Sequence, residues 1–503
     1  MSTTSPAIAP PALAPAPAAR RARRLLPSGR RHLLVPAVIG VALLLTEGLA
    51  QAVTPFIRQD DWPFLLPANT HGVLPPSYYD SSEGRWLNTA WWSLIGRHGG
   101  PTSAALTYAV AYALLVAGLW RVLRHARIRP RPAVDALLGI ALYASAVWVQ
   151  LLYWPGTLTP SVVVGATAAW LLPWAARSPR RLLMWIAIAE VAAVLSYPPV
   201  GVVLLLFVVL LRRDAAWRQI LSVIGAWLAS FALGVLVAYT LNWVVYGHFG
   251  LQLASWRNPN PLTSLGALAV NAGRWLSAAR TLWTAQWWVA VVGVVAVVLG
   301  RRDATVRPRL DRLLVAFAVA CGLDAVQTLV TGVVTDARGQ LWTWLVAVLP
   351  VALLLDGRRR LHVGLPGRGW LAVDRVAAVV LAALAAGGVL SWRADIGEHQ
   401  AVRQQYAAIA DAATAHAHGT GAPTVVVYQD PALKRTRAGR IMASTLVMAV
   451  RQDLHGGLPH WCKGVECLEV MSHSSTGPVV HLGHEGRRAD VVGIIVPTPP
   501  SWI

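Results

Sequence analysis

Residues 182–211 read LLMWIAIAEVAAVLSYPPVGVVLLLFVVLL, and the fold turns on whether this stretch crosses a membrane once or twice. It is long enough for one tilted helix, but Ser196-Tyr197-Pro198-Pro199 stands near its middle. Two successive prolines remove two backbone N–H donors, and each disfavours helical geometry in the residue before it. The stretch reads as two short spans meeting at that break.

The surrounding chain gives the membrane context. With 55% hydrophobic and 13% charged residues, it lies outside the range of water-soluble globular proteins. Apolar windows long enough for about 30 Å of hydrocarbon recur at 33–53, 101–120, 133–152, 158–176, 219–246, 285–300, 313–332, 340–355 and 372–391. With two spans in 182–211, the chain makes eleven crossings. The segments then placed in the cytoplasm (1–32, 121–132, 177–181, 212–218, 301–312 and 356–375) hold 27 arginines, against seven in the opposite loops. This is the positive-inside asymmetry. A single span over 182–211 would put Arg301, Arg302, Arg307, Arg309 and Arg312 outside, so the asymmetry supports the break. The formal charge of +21 is therefore topology rather than a nucleic-acid footprint.

The expected fold is an α-helical polytopic membrane protein with about 11 transmembrane helices and a small C-terminal extracytoplasmic α/β domain. Residues 1–32, Ala/Pro-rich and ending in arginines, form a disordered cytoplasmic tail. Residues 33–53 read as an uncleaved anchor, despite a cleavage-like Ala50-Gln51-Ala52. The transmembrane domain fills 33–391, with aromatic-rich outer loops 54–100 and 247–284. Residues 392–503 form the outer domain, with helices near 395–417 and 439–453 and strand-like runs Thr424–Tyr428 and Val491–Val496. Cys462 and Cys467 lie close together there, where an oxidising compartment allows a disulfide. The expected location is the plasma membrane, with the N-terminus cytoplasmic and the C-terminus extracytoplasmic.

The residues that suggest chemistry cluster in the outer loops. Arg58-Gln59-Asp60-Asp61-Trp62 places two carboxylates directly after the first span, where they need water, a cation or a hydroxyl partner. Farther along, Ser81 or Ser82 suits a helix cap before Glu83-Gly84-Arg85-Trp86. The planar fork of Arg85 suits a phosphate or a carboxylate. Arg338 is the only base in the turn 331–340, next to the start of another helix, a plausible anion seat. Glu47, Glu190 and Asp324 fall inside apolar spans, where charge is costly and partners are expected.

Asp60-Asp61, Gly84-Arg85, the Ser196-Tyr197 break and the late Arg338 together resemble the GT-C superfamily of polytopic glycosyltransferases. The nearest group is the serotype-converting phage glucosyltransferases. The chain departs from that group in Trp62-Pro63 after the acidic pair and in Trp86-Leu87 after Arg85. The resemblance implies inverting transfer of a sugar from a polyprenyl-phosphate donor to a glycan or lipid acceptor on the outer face. It implies Asp60 or Asp61 as the base, with the pair also a candidate seat for a divalent cation (Mg or Mn). Arg338 and Arg85 would meet the phosphate, and Glu83, Tyr197 and Trp62 the substrate. The competing classes are a transporter or flippase using Glu190 and Asp324, and a wall-polymer ligase or polymerase with the same type of donor.

Overall fold

The computed structural model describes residues 51–499 apart from 52, 54, 66–74, 76, 96–99, 128–130, 146, 358–359, 363–369, 416–423, 454–458, 474–476 and 483–490. The tail 1–32, Glu47 and all of the first span except Gln51 and Val53 lie outside the described residues.

The helices are α1 (Ser77–Glu83), α2 (Trp86–Ile95), α3 (Gly100–Ala126), α4 (Pro132–Tyr143), α5 (Pro155–Ala175), α6 (Pro179–Val194), α7 (Pro199–Leu211), α8 (Trp217–Tyr246), α9 (Leu265–Ala285), α10 (Trp287–Arg301), α11 (Arg307–Thr331), α12 (Trp342–Leu354), α13 (Val373–Ala415), α14 (Pro431–Arg435), α15 (Arg437–Asp453) and α16 (Val465–Ser472). Proline stands at the start of α4, α5, α6, α7 and α14, where its missing N–H costs nothing.

Five described helices, α3, α5, α8, α11 and α13, are each long and apolar enough to cross a membrane. A sixth crossing follows if α9 and α10, bent by 86° at Gln286, count as one span. The other expected windows are realised as shorter pieces. The window 133–152 becomes α4 followed by a 3-10 turn Val149–Tyr153, while α7 and α12 are apolar but of 13 residues each.

The break in 182–211 is present: α6 ends at Val194 and α7 begins at Pro199. The Ser196 hydroxyl donates to the carbonyl of Ala192, 2.8 Å away, in the last turn of α6. A Cβ at Gly201 would lie 2.2 Å from the Glu190 carboxylate, so α6 and α7 fold back against one another. Small residues close other helix pairs in the same way, Gly118 against Ala169 and Gly165 against Val200.

The loops gather at two opposite ends of the bundle. At one end, Arg127 pairs with Asp135 and Asp356, and Arg309 pairs with Asp356 at 2.8 Å and donates to the Ala126 carbonyl. Arg131 pairs with Asp374, and Arg312 donates to the Arg213 carbonyl. At the other end meet residues of 58–65, 77–92, 153–157, 195–199, 250–260 and 331–340. Both sets match the grouping expected from the arginine asymmetry.

β1 (Arg360–His362) and β2 (Trp370–Ala372) form an antiparallel ribbon. The C-terminal sheet has the order β4-β3-β6-β5, with β3 (Thr424–Tyr428), β4 (His460–Trp461), β5 (Val479–His481) and β6 (Val491–Ile495). β3 runs parallel to β4 and β6, while β5 is antiparallel to β6. Alternation along β3 divides its two faces. Val425 and Val427 join a core with Tyr406 of α13, Leu446 of α15, and Phe56, Ile57 and Trp62 of the first loop, whereas Val426 packs with Val470 of α16. The boundary expected at 391/392 falls inside α13, which continues from the apolar segment into the domain without interruption.

Candidate functional site

Gln59–Asp61 form a 3-10 turn that sends the two adjacent carboxylates in different directions. Asp61 is fully buried, and its two oxygens accept the backbone N–H groups of Gly156 and Thr157 in the first turn of α5, each at 2.5 Å. Any Cβ at position 156 would meet Asp61 at 2.8 Å, so glycine makes this approach possible. The same first turn is held by Trp92, whose indole N–H donates to the Gly156 carbonyl, and by Asn88, which donates to that of Thr157. Burial pushes the Asp61 carboxyl up to about 7, against the opposing effect of the hydrogen bonds from Thr157 and Gly156. Trp62 is buried in the core shared with the C-terminal domain. Asp61 and Trp62 are thus engaged inside the protein.

Asp60 retains 28% side-chain exposure and lies 3.7 Å from the Arg338 guanidinium. Arg338 also pairs with Asp336 at 3.6 Å and lies over the Trp154 ring at 4.0 Å from its centre. Tyr197, at the α6–α7 break, donates its hydroxyl to the Arg338 carbonyl at 3.2 Å. Burial disfavours the Arg338 charge, but Tyr197, Asp60, Asp336 and Glu83 outweigh it and hold the guanidinium firmly protonated. Arg58 approaches the same indole at 5.4 Å, and burial together with the neighbouring Arg338 lowers its pKa to about 10.

Glu83 closes the other side of the cluster. It pairs with Arg85 at 2.6 Å and with Arg257 from the loop between α8 and α9. Burial would raise its pKa, but Arg85, Arg257 and Arg338 hold it below the usual carboxylate value. Arg85 in turn lies 5.5 Å from the centre of the Tyr197 ring. The guanidiniums of Arg58, Arg85, Arg257 and Arg338 gather here with the carboxylates Asp60, Glu83 and Asp336, and Arg58 is also coupled to Asp395. Such a set of guanidinium forks suits an anion such as a phosphate or a carboxylate.

Of the residues singled out in the sequence, Asp60, Glu83, Arg85, Tyr197 and Arg338 come together, and Asp61 and Trp62 do not face the cluster. Arg58, Trp154, Arg257 and Asp336 belong to it as well. Arg58 and Arg257 carry a sequence signal, since arginines are few in the loops that gather at this end. Trp154 sits just before Pro155 and is hidden between two apolar windows.

Among the described residues no group of three or more His, Cys, Asp or Glu is arranged to hold a metal ion. Asp61 spends its oxygens on backbone donors and Asp60 faces a guanidinium, so a divalent ion bridging the two does not fit this arrangement. Cys462 and Cys467 are joined in a disulfide at the edge of the C-terminal sheet. No protein-family model matches the chain, and no curated protein matches it.

Proposed function

We propose that this protein is an inverting membrane glycosyltransferase of the GT-C type, moving a sugar from a polyprenyl-phosphate donor to a glycan or lipid acceptor on the extracytoplasmic face. The observation that carries this reading is the Asp60–Arg338 pair: a partly exposed carboxylate and a guanidinium within 3.7 Å, in an arginine-rich cluster at one end of an apolar bundle. The gathering of loops at two ends supports eleven alternating crossings, with the first supplied by 33–53. The arginine count then assigns the Arg309 end to the cytoplasm and the Asp60 end to the outside.

In the proposed reaction the donor phosphate takes the Arg338 guanidinium and releases Asp60. The carboxylate of Asp60 accepts the proton of an acceptor hydroxyl as that oxygen attacks the anomeric carbon. The bond from the anomeric carbon to the phosphate oxygen breaks on the opposite side, and the electron pair leaves with the lipid phosphate. Arg338 neutralises that leaving group, with Arg85 and Arg257 supplying positive potential nearby. Tyr197 and Trp154 hold Arg338 in place, and no step uses a metal ion.

The test is transfer from a polyprenyl-phosphate sugar to candidate acceptors by purified protein in nanodiscs. Asp60→Asn should lower the rate by roughly 10²–10⁴. Full transfer by that variant would remove the base assignment. Movement of the intact donor across the bilayer without transfer would replace this reading with that of a flippase, and a lengthening polymer product would point to a polymerase.

A further inference from the structure

Asp324 is a carboxylate in α11, a helix apolar enough to cross the membrane, and the chemistry above makes no direct use of it. Both of its oxygens are occupied. The side-chain amide of Gln340 donates to Oδ1 at 2.7 Å, and the indole N–H of Trp275 donates to Oδ2 at 2.9 Å. Gln340 is itself buried, and its amide oxygen accepts the indole N–H of Trp342 at 2.8 Å. It also ends the 3-10 turn Ala337–Gly339, its backbone N–H donating to the Ala337 carbonyl at 3.0 Å. Arg338 is the middle residue of that turn. On the other flank, Gly339 is pressed against Thr335 and Tyr197, where any Cβ would lie 2.6 Å from the Thr335 methyl.

We propose that Asp324 is a positioning residue that sets Arg338 through Gln340, so that a carboxylate within the bilayer fixes where the phosphate-binding guanidinium stands. An apolar residue would fill this place in α11 at far lower insertion cost, so an acidic side chain there needs a hydrogen-bonding partner. Gln340 is that partner. It joins the intramembrane carboxylate to a turn otherwise tethered by the Tyr197 hydroxyl. The inference rests on the reading of Arg338 as a phosphate seat.

The experiment measures binding of dodecyl phosphate to the full-length protein in nanodiscs of neutral lipid, by the ligand-induced rise in unfolding temperature. Wild type binds and Arg338→Ala does not. Asp324→Leu and Gln340→Leu each weaken binding about tenfold, the loss expected for about one hydrogen bond to a charged group. The double variant is no weaker than either alone. Asp324→Asn keeps an acceptor for Gln340 and binds within about threefold of wild type, and so does Trp275→Phe, which breaks only the other bond. If Asp324→Leu does not fold, Gln340→Leu and Asp324→Asn carry the comparison. Wild-type affinity in Asp324→Leu or in Gln340→Leu, or an equal loss in Trp275→Phe, overturns the positioning role and leaves the phosphate seat intact. Absence of binding by wild type, or undiminished binding by Arg338→Ala, overturns the phosphate seat and the positioning role with it.

Discussion

Asp61 offers the sharpest separation of structural from chemical roles, because its neighbour in sequence is the proposed base. The Asp61 carboxyl is raised from 3.8 to about 7 in the folded protein. A carboxyl raised in this way favours folding while both states are protonated and loses that advantage as pH rises towards the folded value. The full effect of about 3 pKa units is on the order of 4 kcal/mol, of which roughly 3 kcal/mol falls between pH 5 and pH 8. Asparagine does not titrate, but its single amide oxygen can accept from only one of the Gly156 and Thr157 N–H groups and leaves the other unsatisfied. Relative to wild type, the stability of Asp61→Asn should rise by roughly 3 kcal/mol from pH 5 to pH 8, offset at every pH by about 1–3 kcal/mol for the unsatisfied N–H. Asp61→Leu leaves two buried N–H groups unsatisfied and should cost about 1–3 kcal/mol for each. The assay is unfolding temperature against pH in nanodiscs, with transfer measured on the same samples. Asp61→Asn should retain transfer, and Asp60→Asn should lose it with little change in stability, since a partly exposed ion pair contributes about 0–1 kcal/mol. An Asp61→Asn variant that is less stable at pH 8 than at pH 5 relative to wild type, or that folds but transfers nothing, refutes this division of roles.

Trp154→Ala removes the ring beneath Arg338, and the lost cation–π contact of about 1–2 kcal/mol should weaken donor binding about tenfold in a titration, with Trp154→Phe intermediate. At the opposite end, Arg309→Ala leaves Asp356 without one of its guanidiniums in a buried network and should lower stability by about 3–5 kcal/mol in denaturant unfolding. Transfer per folded molecule should be unchanged, since that network is remote from Asp60. Replacing both Cys462 and Cys467 with alanine opens a short loop and should cost the C-terminal domain about 2 kcal/mol, read by its unfolding temperature, again with transfer unaffected.

Much of this arrangement is legible in the residues themselves. The proline pair marks the α6–α7 break because it forbids a continuous helix whatever surrounds it. The arginine clusters sort the loops because their burial within the bilayer is so costly. The β-branched runs at 424–428 and 491–496 become paired strands. The roles within Asp60-Asp61 are harder to see: as a dipeptide the two are equivalent, and only the 3-10 turn and the closeness of Gly156 set one inward and the other towards Arg338. Trp154 is concealed in the same way, being one aromatic among many until the turn into α5 lifts it beneath two guanidiniums. Windows such as 133–152 look like single helices to hydropathy, which is blind to the switch from α-helix to 3-10 geometry at Val149–Tyr153. Asp324 reads as an intramembrane acid, and its link to Gln340, sixteen residues on, is tertiary.

The 43 residues of α13 amount to a shaft of about 65 Å, of which a hydrocarbon layer takes only about 30 Å. It is pinned low down by Trp392, whose indole donates to Ser145, and high up by Tyr406, packed against Met442. A helical shaft couples height to angle: each added residue lifts the C-terminal domain by about 1.5 Å and turns it by about 100°. The domain's seat on Phe56, Ile57 and Trp62 is thereby a matter of phase. One residue inserted between Trp392 and Tyr406 would swing that apolar face away from its partner, whereas eighteen would restore the angle and hold the domain about 27 Å too high. The apolar length of α13 and the C-terminal sheet are geared to each other, and the segment bearing Asp60 lies where the gears mesh.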